Sequence, residues 1–179
     1  MSHGTVDARA AALAASELLP EIFAHVVAAY PHEGCGFVFL DGEGRLVHLP
    51  TANRAAQLHA KDPERYPRGG ADWFEPDMKP WLRAQREGLT PWLIYHSHPD
   101  DGAYFSDSDV ESAVVADDNG SVVERNPGVD HMVVSVRGAR AEGARLFRFD
   151  VDARRFVDVA ALGADGALVA APPESSGGS

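Results

Sequence analysis

The chain has 179 residues, 45% hydrophobic and 24% charged, the size and balance of one globular domain with a buried core. Its formal net charge of −11 argues against nucleic acid as the main partner, because phosphate binding needs a basic surface. The single cysteine, Cys35, excludes an internal disulfide and any zinc site built from several thiolates, so a metal here must rest on histidine and carboxylate.

No apolar run approaches the roughly eighteen residues a membrane helix needs. The alanine-rich start carries Asp7 and Glu17 and lacks the solid apolar stretch of a secretory signal. A soluble, cytoplasmic protein is the expectation. Residues 1–15 read as a flexible lead-in. From Ser16 to Tyr30, Leu18, Leu19, Ile22, Phe23, Val26 and Val27 recur at helical spacing, and Pro31 ends the helix. Cys35 to Leu40 (CGFVFL) is a short apolar run with aromatic and β-branched members, which predicts a buried strand. Asp41 to Gly44 predicts a hairpin turn into a partner strand over Arg45–Leu49. Residues 51–72 lack periodicity and read as a long loop, whose stretch from Gln57 to Asp72, with Tyr66-Pro67-Arg68-Gly69-Gly70, is either a substrate lid or a passive insertion.

A second helix is predicted from Glu75 to Glu87, with Pro76 in its first turn and Gly88 after its end. Pro91 to Tyr95 (PWLIY) predicts another buried strand, and a third helix should run from Ser106 to about Asp117. Later strands are expected over His131–Val136, Ala144–Phe149 and Arg155–Val159, before a disordered tail over 161–179. One domain over 16–160 with interleaved strands and helices reads as an α/β layered fold.

The chemistry concentrates in His96-Ser97-His98-Pro99 followed, six residues on, by Ser106-Asp107-Ser108-Asp109. On an extended chain, residues i and i+2 share a face, so both imidazoles can aim at one point past the strand PWLIY. Ser106 can cap the next helix, which places Asp109 in its first turn and able to face the same point. Two imidazoles and a carboxylate are the donor set of a catalytic zinc with one position left for water. Asp100, Asp101 and Asp107 are the competing carboxylates, otherwise a solvated acidic loop. Ser106 and Asp109 also read as a purely structural cap.

His-x-His-Pro, six residues, then Ser-x-x-Asp resembles the signature of the JAMM (MPN-type, or JAB-domain) zinc peptidases, and all five fixed positions match. Glu33, before the strand that starts at Cys35, sits where that family carries a glutamate. Asn53, Tyr95 and the stretch MVVSV resemble its prokaryotic branch. The resemblance covers about residues 16–160 and departs from shorter relatives in the long Asn53–Trp73 segment. It implies a three-layer fold, a mixed β-sheet flanked by helices and similar to cytidine deaminases, whose own zinc-ligand pattern is absent. It further implies Zn2+ on His96, His98 and Asp109, Glu33 as general base, and Ser106 as hydrogen-bond donor to the oxyanion. The bond cut would follow the C-terminal Gly-Gly of a ubiquitin-like or sulfur-carrier protein. A catalytically silent MPN scaffold and a hydrolase of non-protein amides are the alternatives. Cys35 reads as a buried strand residue, and His3, His25, His32, His48, His59 and His131 as structural or surface residues.

Overall fold

The computed structural model describes residues 6–169, and the calls on residues 1–5 and 170–179 lie outside them. Helices α1 (Ala8–Ala14) and α2 (Leu18–Ala29) precede the hairpin β1 (Cys35–Leu40) and β2 (Leu46–Thr51). Helices α3 (Ala55–Lys61) and α4 (Lys79–Arg86) follow, then β3 (Thr90–Pro99) and α5 (Asp107–Ala113). A small hairpin, β4 (Val114–Ala116) and β5 (Val122–Glu124), leads to β6 (Asp130–Arg137), β7 (Arg140–Asp150), β8 (Arg155–Gly163) and β9 (Leu168–Val169). Seven strands form one sheet in the order β2-β1-β3-β6-β7-β8-β9, with β3 and β6 parallel and the other pairs antiparallel. This is the mixed sheet between helices that the sequence predicts.

The period of two along β1 and β3 sorts the core to both faces. Val38, Leu93 and Tyr95 pack with Leu19, Ile22 and Val26 of α2, together with Met132 and Val134 of β6. Phe37 and Phe39 turn the other way onto Trp81 of α4, with ring centroids 5.1 and 5.0 Å apart. Each such fully buried large side chain stabilises the fold by roughly 1.5–3 kcal/mol. Glycine decides how closely these layers approach. A Cβ on Gly34 would lie 2.7 Å from the Cα of Val26, and one on Gly36 2.2 Å from the Tyr95 hydroxyl. Among the described residues, no single helix is long and apolar enough to cross a membrane.

Several boundaries differ from the sequence expectation. The lead-in is not loose over its described part. Asp7 caps α1 by accepting from the amides of Arg9 and Ala10, at 3.1 and 2.9 Å, and Ala10 and Leu13 are fully buried. Arg148 of β7 grips both Asp7 and the buried Asp130, each at 2.7 Å, and Arg9 reaches Asp130 at 3.1 Å. At the other end, residues 161–169 are ordered rather than disordered: β8 runs to Gly163 and β9 pairs back onto it. The loop expected over 51–72 contains α3, while α4 begins only at Lys79 because the preceding turn is taken up by an Asn53–Pro76 bridge. Helix α5 ends at Ala113 rather than Asp117. The β-branched pair Val114-Val115 extends into β4, and Asp117 holds the hairpin turn by accepting from Asn119 and Ser121 at 2.9 and 2.8 Å.

Candidate metal centre

On β3, Leu93, Tyr95 and Ser97 face the α2 layer, so Ile94, His96 and His98 face the other side of the sheet. Ser97 is not idle. Its hydroxyl accepts from the Gly34 amide at 2.9 Å, and its own amide donates to the Gly34 carbonyl at 2.9 Å. That clamp ties the start of β1 to β3 and sets Glu33 one residue away from the junction.

Asp109 arrives from the first turn of α5 through a complete capping box. The Ser106 hydroxyl donates to Asp109 Oδ2 at 2.7 Å and accepts from the Asp109 amide at 3.2 Å, while the Ser106 amide donates to Oδ2 at 2.8 Å. Both bonds fall on Oδ2, which leaves Oδ1 to face His96 Nε2 at 3.2 Å. His98 Nε2 lies 3.5 Å from Oδ2, and the two Nε2 atoms are 3.1 Å apart. His98 Nδ1 donates to the Gly102 carbonyl at 3.0 Å, which sets the tautomer and leaves Nε2 with a free lone pair. His96 Nδ1 is buried with no hydrogen-bond partner among the described residues; its ring is held by stacking on Phe74, 4.4 Å between centroids.

Ligand atoms of three buried residues, His96, His98 and Asp109, therefore lie within 4.8 Å of one another. The two separations that share His96 Nε2, 3.1 Å to His98 Nε2 and 3.2 Å to Asp109 Oδ1, are close to the roughly 3.3 Å edge of a tetrahedron with bonds of about 2.0–2.1 Å. A divalent cation fits this set. The electrostatics agree. Burial disfavours charge on Asp109, yet its bonds to His96, His98 and Ser106 hold it well below the usual carboxylate range. Burial lowers His96, whereas for His98 the bond to Asp109 and the nearby Glu33 overcome burial and raise it.

Glu33 is 6% exposed and lines the same cleft, of about 430 Å³, as His98, Ser106 and Asp109. Burial pushes its carboxyl up to about 8, with Asp109 and Asp72 adding to the rise and His98 and Arg68 opposing it. Its backbone is fixed from both sides: its amide donates to the Gly70 carbonyl at 2.7 Å, and its carbonyl accepts from Asn53 Nδ2 at 3.0 Å. Asn53 also donates to the Trp73 carbonyl at 3.0 Å and accepts from the amides of Ala55 and Glu75, so one side chain shapes the segment opposite α5.

The competing residues are placed elsewhere. Asp100 accepts from Tyr30 and from the Gly138 amide, and Asp101 accepts from Tyr104 and the Gly102 amide. Neither belongs to the donor cluster, nor does Asp107. The Cys35 thiol is buried and pushed up to about 12, which removes it as a nucleophile at neutral pH. His25 and His48 lie on the α2 side, bonded to the Cys35 carbonyl and the Tyr95 hydroxyl. His131 sits among Phe105, Phe147 and Phe156, where burial lowers it to about 3. Arg68 falls in the Gln57–Asp72 segment read as a lid candidate, whereas Trp73 and Phe74, which complete the cleft wall, were missed; the only signal for them was an aromatic pair after a polar loop.

Residues 15–148 match the family model of prokaryotic homologs of the JAB domain. The structure resembles a solution structure of a protein from Salinibacter ruber, 27% identical, with a TM-score of 0.51, covering 80% of this chain and 86% of that one. A solution structure of a Desulfitobacterium hafniense protein, 19% identical, shares the fold with a TM-score of 0.51, covering 78% of this chain and 84% of that one. No curated protein matches the sequence significantly.

Proposed function

This chain belongs to the family of prokaryotic JAB-domain homologs, and on that premise we propose that it is a zinc-dependent peptidase acting on amide bonds. The observation that carries the reading is the buried His96–His98–Asp109 donor set opening onto a cleft that also holds the buried carboxyl of Glu33. A silent scaffold has no use for this arrangement, because burying a carboxyl and three facing donors costs stability.

Held by His96, His98 and Asp109, a divalent cation would supply Lewis acidity toward a water and a substrate carbonyl, and its charge would favour the carboxylate form of Glu33. Glu33 then takes a proton from the attacking water and returns it to the departing amine nitrogen as the C–N bond breaks. The Ser106 hydroxyl, now committed to Asp109, has to rotate into the cleft to donate to the developing oxyanion. Phe74 covers the His96 ring and keeps bulk water from it. The family resemblance of the motif supports a Gly-Gly-tailed ubiquitin-like or sulfur-carrier protein as substrate, and the acidic chain suits a basic partner.

The test is elemental analysis of the purified protein beside a His96→Ala, His98→Ala variant, with both assayed on a Gly-Gly-extended fusion. One zinc per chain and metal-dependent cleavage are expected, both lost in the variant. Equal metal content in the two proteins, or cleavage that survives the double substitution, sinks the reading.

A further inference from the structure

The cleft over the candidate centre is lined by four acidic residues, Glu33, Asp72, Asp101 and Asp109, and by a single arginine, Arg68. In such company an arginine would be expected to pair with a carboxylate, as Arg148 does with Asp7 and Asp130. Arg68 has no carboxylate partner among the described residues. It is held instead by neutral groups: Nη1 donates to the Ser108 hydroxyl at 2.7 Å, and the guanidinium lies 5.4 Å from the centre of the Trp73 ring. One of five N–H donors is thereby used, and the planar fork stays available for a two-point bond to an incoming carboxylate.

The position of Arg68 says which part of a substrate it would meet. Ser108 adjoins Asp109, so the Arg68–Ser108 bridge crosses from the long loop to the first turn of α5, beside the donor cluster. The bridge stands between this cleft and a neighbouring pocket of about 310 Å³, since Arg68, Trp73 and Ser108 line both. Glu33 shares the cleft with Arg68 and is the group that delivers a proton to the leaving amine, which puts the leaving group on the Arg68 side. A second cleft of about 360 Å³, lined by Phe37, Trp81 and Phe105, shares Trp73, Phe74 and Asp109 with the first.

We propose that Arg68 is a specificity-determining residue that binds a carboxylate on the leaving group, so that the enzyme releases a single terminal amino acid rather than cutting a lysine side-chain linkage. The proposal rests on the hydrolase reading above. In an α-amino acid the carboxylate is two bonds from the departing nitrogen and moves with it into the same cleft. A lysine held within a protein offers only its uncharged stem and backbone there, and leaves Arg68 unpaired.

The experiment uses the zinc-loaded full chain and a ubiquitin-fold protein extended by one residue past its Gly-Gly, prepared as the free acid and as the C-terminal amide. The wild-type enzyme should prefer the acid in kcat/KM by about tenfold to a hundredfold, the worth of a charge-assisted pair. In Arg68→Ala the ratio should fall toward one, and in Arg68→Lys it should lie between. Because each ratio is taken within one protein, partial misfolding of a variant cancels. The acid and amide forms should show the same preference in calorimetric binding to a Glu33→Gln protein. A wild-type ratio near one, or a ratio unchanged in Arg68→Ala, overturns the role of Arg68 and leaves the hydrolase reading standing. Cleavage of neither form overturns the hydrolase reading, and the binding ratio then decides Arg68 by itself.

Discussion

The two walls of the cleft are built by different means. One wall is β3 and the start of α5, where His96, His98 and Asp109 lie within fourteen residues and are oriented by strand alternation and a capping box. The other is Glu33 with the segment from Asn53 to Phe74, whose residues meet only through tertiary hydrogen bonds: Asn53 to the carbonyls of Glu33 and Trp73, and the Glu33 amide to the Gly70 carbonyl. The first wall carries the donor set on regular elements. The second carries the Glu33 carboxyl and the Arg68 guanidinium on loops, where geometry depends on a few polar contacts. Metal affinity should therefore respond to changes in the first wall, and turnover and substrate preference to changes in the second.

The largest expected separation of the two comes from Glu33→Gln. This substitution should leave one zinc per chain by elemental analysis while lowering kcat by about 10²–10⁴-fold. Loss of metal together with activity would place Glu33 on the donor wall instead. Ser106→Ala lies on the donor wall but should change both stability and turnover, because it deletes the cap of α5 and the candidate oxyanion donor. It should cost about 0.5–2 kcal/mol in denaturant unfolding and reduce kcat by about 10²–10³-fold. Ser106→Thr, which keeps a hydroxyl, should restore most of the stability; if it does not, the capping box is not what holds α5.

Asn53→Ala should be smaller in activity and clearer in structure. It removes donors from the Glu33 and Trp73 carbonyls and an acceptor from the Ala55 and Glu75 amides, at a cost of about 1–3 kcal/mol. Zinc content should stay at one per chain while amide exchange quickens across residues 69–76. Unchanged exchange there would mean the loop is held by other contacts.

The smallest effect concerns pH. Glu33 has a folded pKa of about 8, against an ordinary value of 4.5, so between those values the folded protein keeps a proton that the unfolded chain has lost. Its contribution to stability is therefore complete below pH 4.5 and falls away as pH rises to about 8. In chelator, Glu33→Gln and the wild type should melt together near pH 4.5, and the variant should melt higher at pH 8.5. His98, whose raised pKa also makes stability fall with pH, owes part of that rise to Glu33, so the comparison reads the two groups together. A wild type that matches the variant across the whole range would show that Glu33 is ionised in the metal-free fold.

The same division separates what was legible in the sequence from what was not. The apolar runs CGFVFL and PWLIY are strands β1 and β3, and the periodic stretch after Ser16 is α2, because hydrophobic period is a local signal that burial then enforces. Helix α1 escaped notice because, alanines apart, Leu13 is its one apolar side chain, too little to show a helical period. It is held by Asp7 and Arg9 through Arg148 and Asp130, partners more than a hundred residues away. The over-long α5 has a local explanation that propensity obscured: Val114 and Val115 find β5 as a partner, and a paired strand outweighs a frayed helical turn.

By itself the sequence determined the sheet-forming runs, the fold class and the His96–His98–Asp109 set, since each depends on residues close enough for backbone periodicity to aim them. The tertiary structure alone decided that Glu33 is buried beside that set, that Asn53 binds the opposing segment to it, and that Arg68, in an acidic cleft, has no carboxylate partner among the described residues. Desolvation and long-range hydrogen bonds arise only when distant segments pack, and neither has a spacing that can be read along a chain.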